Sequence, residues 1–477
     1  MSTEFPYCLA GKPGRSAATH EVVNPYDRTV VGVTWLAGDR EFDTAADAAV
    51  AAAPAMRALP AHERAAILMS VSGALKTRQD EIARTLAGEA GKAIRDATAE
   101  VDRAAMTFHI AAEEARRLGG EVVPMDLAPH GAGRIGVTRR FPIGPVAAIS
   151  PFNFPLNLSA HKVAPAIAAG NPIVLKPATK TPLSALYLAE LLAAAGLPEG
   201  AISVLPMPRT VGDRLVTDAR FKLLTFTGSS PVGWDMKNRA GKKKVILELG
   251  GNAGVVIDDS ADLQFAATRI ATGGFALAGQ SCISVQRVYV HERVFDDFSG
   301  RLLTLVGALK VGDPLDPATD VGPMIDEGEA ARVDAWVQEA VARGARVLTG
   351  GTRLGGALYS PTVITDVPAD AKVCAAEVFA PLVGLYPFAR FDDALREVNR
   401  SAFGLQAGVF TSMLEHALRA FDELDVGGVI VNDVPTWRTD QMPYGGIKDS
   451  GLGREGPRYT IEEMTEPKLL VINRSIV

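Results

Sequence analysis

Cysteine is scarce in this chain: Cys8, Cys282 and Cys374 are the only three in 477 residues. So few thiols, so far apart, exclude a disulfide framework and fit a reducing compartment. Histidine is nearly as rare, at seven residues. They are scattered, and no His/Cys/Asp/Glu cluster has metal-ligand spacing, so no metal site is expected. Basic residues are outnumbered by acidic ones, 49 to 55, for a formal net charge of −6. With no basic run interleaved with aromatics, that balance argues against a nucleic-acid partner. Lys242, Lys243 and Lys244 form the one short basic run, read as the solvated start of a strand. Long apolar runs are missing too. Residues 183–197 come nearest, but they include Glu190 and end at Gly196 and Pro198. That is too short to cross a bilayer and reads as a core-facing helix. The first fifteen residues lack the basic start and apolar centre of a secretion signal. The expectation is a cytoplasmic protein without a membrane partner.

What is present is a large core: 47% of residues are apolar and 22% charged. The length predicts two or three domains. Residues 1–40 read as short strands and turns, with Asn24-Pro25 and Gly38-Asp39 as turn signals. Residues 43–119 read as alanine-rich helices broken near Pro60 and Gly91. Val101, Ala105, Phe108 and Ala112 recur there at helical spacing and predict a buried stripe, with Arg103 off it. Two extended segments, 121–125 and 134–141, flank a turn and predict a hairpin arm. From Pro145 strands and helices alternate, with strands at 146–150, 173–176, 202–205, 223–227 and 245–248. This rhythm predicts a doubly wound parallel sheet with ligands at the carboxyl ends of its strands. A second αβ series starts near Val255, and residues 468–472 close the chain as a strand.

The most reactive-looking stretch is FALAGQSCISVQR, residues 275–287, where Cys282 sits among small, uncharged neighbours. Upstream, Glu248 interrupts the apolar run VILELGG, and a buried carboxylate there has a raised pKa. Together they read as nucleophile and general base. From these two alone, a structural cysteine and a salt-bridged glutamate read equally well. The turn PFNFP, residues 151–155, fixes Asn153 between two phenylalanines, where its amide can serve as an oxyanion donor or bond its own loop. Lys176, in KPAT at a strand end, can reach a ribose hydroxyl or phosphate, or stand exposed. FTGSSPVG, residues 226–233, combines small residues with a helix start that can meet a phosphate. It is neither a G-x-G-x-x-G fingerprint nor a P-loop, and an N-cap without ligand fits it as well. EVFAP, residues 377–381, and PYGGIKDSGLGR, residues 443–454, complete the set.

Taken in order, these segments resemble the aldehyde dehydrogenase superfamily over essentially the whole chain. The resemblance implies an α/β fold of two doubly wound open-sheet domains plus a small β oligomerisation arm. Residues 1–119 and 143–249 would form the cofactor domain and 250–454 the catalytic domain. Residues 120–142 and 455–477 would form the arm and C-terminal strand of a homodimer or homotetramer. It implies NAD or NADP as cofactor and a small-molecule aldehyde as substrate. Cys282 would be the nucleophile, Asn153 with the Cys282 N–H the oxyanion hole, and Glu248 the activator of water. The presence of Glu248 points to hydrolysis of the thioester rather than transfer to coenzyme A. Lys176 and Glu377 would hold ribose hydroxyls, Phe379 would pack near the nicotinamide, and Gly228, Ser229 and Gly233 would shape the pyrophosphate end. Ser150, Pro151, Phe152, Thr179, Lys180, Gly212, Phe226, Leu249 and Gly250 complete the implied cofactor contacts. Two departures from the family pattern matter. Ala380 replaces the usual glycine, a change tolerated unless the position needs φ > 0. Thr179 stands where NAD-preferring members carry a glutamate; with Lys180 beside it, NADP acceptance is expected. The look of the chain is nearest to the lactaldehyde, non-phosphorylating glyceraldehyde-3-phosphate and phosphonoacetaldehyde dehydrogenases. Arg103 and Arg438 fall at anion-gripping positions, whereas Ser281 replaces an arginine before the nucleophile. With His161, these are the expected substrate contacts, for a short polar or anionic aldehyde. The competing expectations are a catalytically silent relative and a cysteine-dependent esterase.

Overall fold

A computed structural model describes residues 3–474; the outer limits drawn at residues 1 and 477 lie outside it. The helical opening is cut where the sequence supplies stops. Asp39–Ala58 starts at a capping box in which Glu41 accepts the Gly38 N–H at 2.8 Å, and it ends just before Pro60. Gln79–Ala90 ends at Gly91, whose φ of 67° is left-handed. Ile94–Arg117 buries Val101, Ala105, Phe108 and Ala112, the predicted stripe.

Two sheets dominate. In the first, Lys244–Glu248, Leu223–Thr227, Val146–Ile149, Ile173–Lys176 and Ile202–Val204 lie side by side and parallel. Strand order reverses between Val146–Ile149 and Leu223–Thr227, which places a crevice at their carboxyl ends. Tyr7–Leu9 and Lys12–Gly14 extend one edge antiparallel. The other edge is extended by Gly451–Leu452, paired to Leu247 and Glu248. The glycine-rich loop therefore crosses the division drawn at residues 249/250. The second sheet has the order Arg346–Thr349, Thr362–Thr365, Leu382–Phe388, Val285–His291, Ala253–Ile257, Gln406–Phe410, Gly428–Val431. All its pairings are parallel except the first. The two sheets carry separate apolar cores.

The arm forms a third, antiparallel sheet. Val122–Val123 pairs with Arg134–Pro142, which pairs along its length with Thr465–Asn473. That last strand is an open edge, and Leu469, Leu470, Val471 and Ile472 on it are all exposed. Among the described residues no helix is long and apolar enough to cross a membrane, and no group of three or more His, Cys, Asp and Glu is placed to hold a metal ion.

Candidate active site

The carboxyl ends of the first sheet meet the amino ends of the second. Ile149 runs into Ser150 and PFNFP, Thr227 into Gly228 and Ser229, and Glu248 into Leu249 and Gly250. From the other side come Cys282, just before Val285–His291, and Glu377, before Leu382–Phe388. Between them lies a cavity of about 540 Å³. It gathers Cys282, Glu248 and Asn153 with Ser150, Pro151, Phe152, Lys180 and Phe226 on its wall. Gly228, Ser229, Leu249, Gly250, Glu377 and Phe379 line it too. Lys176, Thr179, Gly212 and Gly233 are not on this lining. Lys176 lies across Gly212, where a Cβ would meet its Cε at 2.7 Å. Gly233 lets Leu249 approach in the same way, at 2.4 Å.

The turns that carry Asn153 and Cys282 are each fixed by contacts from distant segments. Glu100, on the helix Ile94–Arg117, accepts the N–H groups of Leu156 and Asn157 at 3.0 Å each, capping Asn157–Ala169 and pinning the PFNFP turn. Asn153 Nδ2 donates to the Gln280 carbonyl at 3.0 Å rather than to its own loop. That bond uses one of its two N–H groups and leaves the other for a ligand. Before Cys282 the backbone makes a left-handed turn through Leu277, Ala278 and Gly279, with φ of 51°, 51° and 68°. Two of these are not glycine, at a cost of about 1–2 kcal/mol each. A Cβ on Gly279 would lie 2.0 Å from the Ala380 carbonyl, so the glycine is what lets EVFAP dock against the cysteine turn. Ala380 itself lacks positive φ; Phe379 takes it, at 52°, which is why alanine is accommodated. The Phe379 ring meets Phe152 edge-on at 5.8 Å across the cavity wall.

The electrostatics are set by burial. The Cys282 thiol is pushed up to about 12, chiefly by burial and further by Glu377 and Glu248, against the hydrogen bond to Tyr444 and the charge of Arg438. Glu248 is 3% exposed, and neither carboxylate oxygen has a partner among the described residues. Burial first, then the nearby Glu455, raises its pKa well above the usual range. Glu455 itself is held low as the partner of the buried Lys162, at 3.0 Å. Burial raises Glu377 to about 7, although Gly251 N–H donates to it at 2.8 Å. Lys176 is half-buried and, among the described residues, its ammonium has only the Pro177 carbonyl at 3.3 Å and no carboxylate; desolvation lowers its pKa. Lys180 is not a free cation, because it is ion-paired with Asp326.

None of the expected substrate contacts lines the cavity that holds Cys282. Arg103 and Arg438 line a separate outer cavity of about 840 Å³. Arg103 is spoken for by Asp440 at 2.8 Å. Arg438 has no carboxylate partner among the described residues: its guanidinium lies 3.6 Å over the Tyr444 ring, its Nε is buried without a partner, and one terminal nitrogen is 3.3 Å from His161 Nε2. The structure does not bring His161 to either cavity. It lies inside the fully buried helix Asn157–Ala169, 2.9 Å from Asp440, with burial and Arg438 lowering its pKa. Ser281 lines neither cavity, and its Oγ accepts the Ile283 N–H at 3.4 Å. Tyr444, Asp440, Lys162 and Glu455 escaped the sequence reading; the partners that hydrogen-bond their side chains are more than 60 residues away, and no local spacing announces them.

Comparison with known proteins matches this geometry. Residues 13–470 match the aldehyde dehydrogenase family. The chain is 49% identical over 413 residues to the 3-sulfolactaldehyde dehydrogenase of Priestia megaterium, covering 86% of each chain. It superposes with a TM-score of 0.97 on aldehyde dehydrogenase 21 from Physcomitrella patens, solved with the reaction product succinate, at 49% identity and 99% coverage of both chains. With the glyceraldehyde-3-phosphate dehydrogenase GapN from Methanocaldococcus jannaschii, complexed with NADP, the TM-score is 0.91 at 39% identity, covering 95% of this chain and 98% of that one. A crevice at the strand reversal, a thiol held on a strained turn and a family match along nearly the full length converge: the chain belongs to the aldehyde dehydrogenase family.

Proposed function

We propose that the protein oxidises a short anionic aldehyde to its carboxylic acid, with NAD or NADP as hydride acceptor. The observation that carries the anionic part is Arg438: a cation without a carboxylate partner among the described residues, on the wall of the outer cavity and stacked on the Tyr444 ring that touches Cys282. The relatives point the same way, since their names carry a sulfonate, a dicarboxylate product and a phosphate.

The residues around the inner cavity fit a dinucleotide. The helix Ser230–Arg239 begins at Ser229 on the cavity wall with no side-chain cap, so its first N–H groups can take a phosphate. The lone Lys176 ammonium and the Glu377 carboxylate offer partners for ribose hydroxyls. Thr179 brings no charge to oppose a 2′-phosphate, which supports acceptance of NADP. When bound, the nicotinamide supplies the acceptor for the hydride.

The chain's own groups do the rest. Cys282, once deprotonated, adds to the aldehyde carbon. The oxygen gains charge against Asn153 Nδ2 and the Cys282 N–H, which has no acceptor among the described residues. Loss of hydride leaves a thioester on Cys282. Glu248, unpartnered and with a raised affinity for protons, takes a proton from water, which releases the acid. The exposed apolar edge Thr465–Asn473 supports assembly into a homodimer or homotetramer. A spectrophotometric panel of succinic semialdehyde, 3-sulfolactaldehyde, lactaldehyde and propanal with both cofactors tests the reading. It predicts turnover that favours the charged aldehydes and vanishes in Cys282→Ser; cofactor-independent ester cleavage exceeding aldehyde oxidation would replace it.

A further inference from the structure

The loop 443–454 brings to the site a group that the chemistry above does not use. Tyr444 is 3% exposed, and its hydroxyl lies 3.0 Å from Cys282 Sγ. Among the described residues that hydroxyl has no other hydrogen-bond partner. The backbone on either side of the ring is fixed: Tyr444 N–H donates to the Glu455 carbonyl at 3.0 Å, and Glu455 N–H returns the bond at 2.6 Å. Glu455 is anchored in turn by Lys162. On the face of the ring lies the Arg438 guanidinium, 3.6 Å from its centroid. A cation there draws electron density from the ring and strengthens the phenol as a donor. Among the described residues no carboxylate hydrogen-bonds the sulfur, and neither Glu248 oxygen has a hydrogen-bond partner.

We propose that Tyr444 is a catalytic residue: its hydroxyl donates a hydrogen bond to Cys282 Sγ and stabilises the thiolate that attacks the aldehyde. A phenol is a far better donor than a thiol, and a charged acceptor makes such a bond roughly twice as strong. As the thiol loses its proton, the bond therefore strengthens, favouring the ionised state. Four charged or titratable groups face the sulfur: Tyr444 and Arg438 favour the thiolate, and Glu248 and Glu377 oppose it. Tyr444 is the one within hydrogen-bond distance, on a scaffold that needs no rearrangement. The donor does not transfer its proton, since burial and the neighbouring sulfur hold the phenol well above its ordinary range.

The proposal rests on Cys282 being the nucleophile, and its test is separate from turnover. The full-length protein, without cofactor, is alkylated with iodoacetamide at several pH values, and the Cys282 peptide is quantified by mass spectrometry. Cys282→Ser identifies the labelled site; Cys8 and Cys374 are buried. A hydrogen bond to a charged group is worth about one to two pKa units. Allowing for the greater nucleophilicity of the more basic thiolate, Tyr444→Phe should slow alkylation about three- to tenfold at any pH below the thiol's midpoint. Phenylalanine is the smaller side chain, so a purely packing role predicts alkylation that is unchanged or faster. Either of those results overturns the proposal. Matching circular dichroism and melting curves for the two proteins establish that the fold is retained. If Cys282→Ser retained aldehyde oxidation, the reading of the nucleophile would fail instead, whatever the alkylation rates show.

Discussion

Replacing Arg438 by alanine separates anion recognition from everything else this residue does. Its charge acts on Cys282 and Glu248 for any substrate, and its guanidinium covers the Tyr444 ring. Losing those effects slows anionic and neutral aldehydes alike. An anionic substrate loses a charge-assisted hydrogen bond in addition, worth about 1.5–3 kcal/mol at a half-buried site. That corresponds to roughly ten- to 150-fold in kcat/KM. Arg103 cannot take over, because Asp440 already holds it. The assay is a pair of kcat/KM ratios, wild type over variant, for succinic semialdehyde and for propanal. The expected quotient of the two ratios is about ten or more, carried mainly by KM for the anion. High salt should shrink it, since a partly exposed ion pair is screened. A quotient near one would remove Arg438 from substrate recognition and with it the argument for an anionic aldehyde.

Three further outcomes follow from named residues. Glu248→Gln should cut steady-state turnover by about a hundredfold or more while sparing the first burst of cofactor reduction, because a positioned general base contributes about 10²–10⁴-fold; rapid-mixing absorbance separates the two phases, and loss of the burst would place Glu248 before the thioester. NADP should be accepted, alongside NAD, given the uncharged Thr179; a preference for NAD beyond about a thousandfold, roughly 4 kcal/mol, contradicts that. Glu89 is fully buried, accepts the Leu183 and Ser184 N–H groups, and is raised to about 7 by burial. The unfolded chain releases that proton near the ordinary carboxylate range, so the folded state holds more protons between there and pH 7, and stability falls as pH rises through that window. Glu89→Gln should flatten this dependence in thermal unfolding at pH 5 and pH 7.

The elements that carry the chemistry were legible because the fold puts it at strand ends. A strand at 146–150 running into PFNFP, and another ending in Glu248, can be read from apolar runs broken by one polar residue. The cysteine turn was legible in part: its small residues are visible, but the left-handed Leu277 and Ala278 are not, since neither residue type favours that backbone. Positions fixed by contacts across the fold were not legible. Tyr444 meets Cys282 from 162 positions away, and Lys162 meets Glu455 from 293. Likewise, Lys180 reads as an available cation until Asp326, 146 positions on, is seen beside it. His161 reads as a candidate substrate contact by resemblance, and only the helix packing shows it facing the interior.

The account stands or falls on the sulfur of Cys282 becoming acylated. Glu248→Gln, mixed with succinic semialdehyde and NADP, quenched in acid and digested, should yield a peptide containing Cys282 that carries the mass of the succinyl group as a thioester, absent without cofactor and released by hydroxylamine. An unmodified Cys282 peptide alongside measured cofactor reduction would contradict the covalent route.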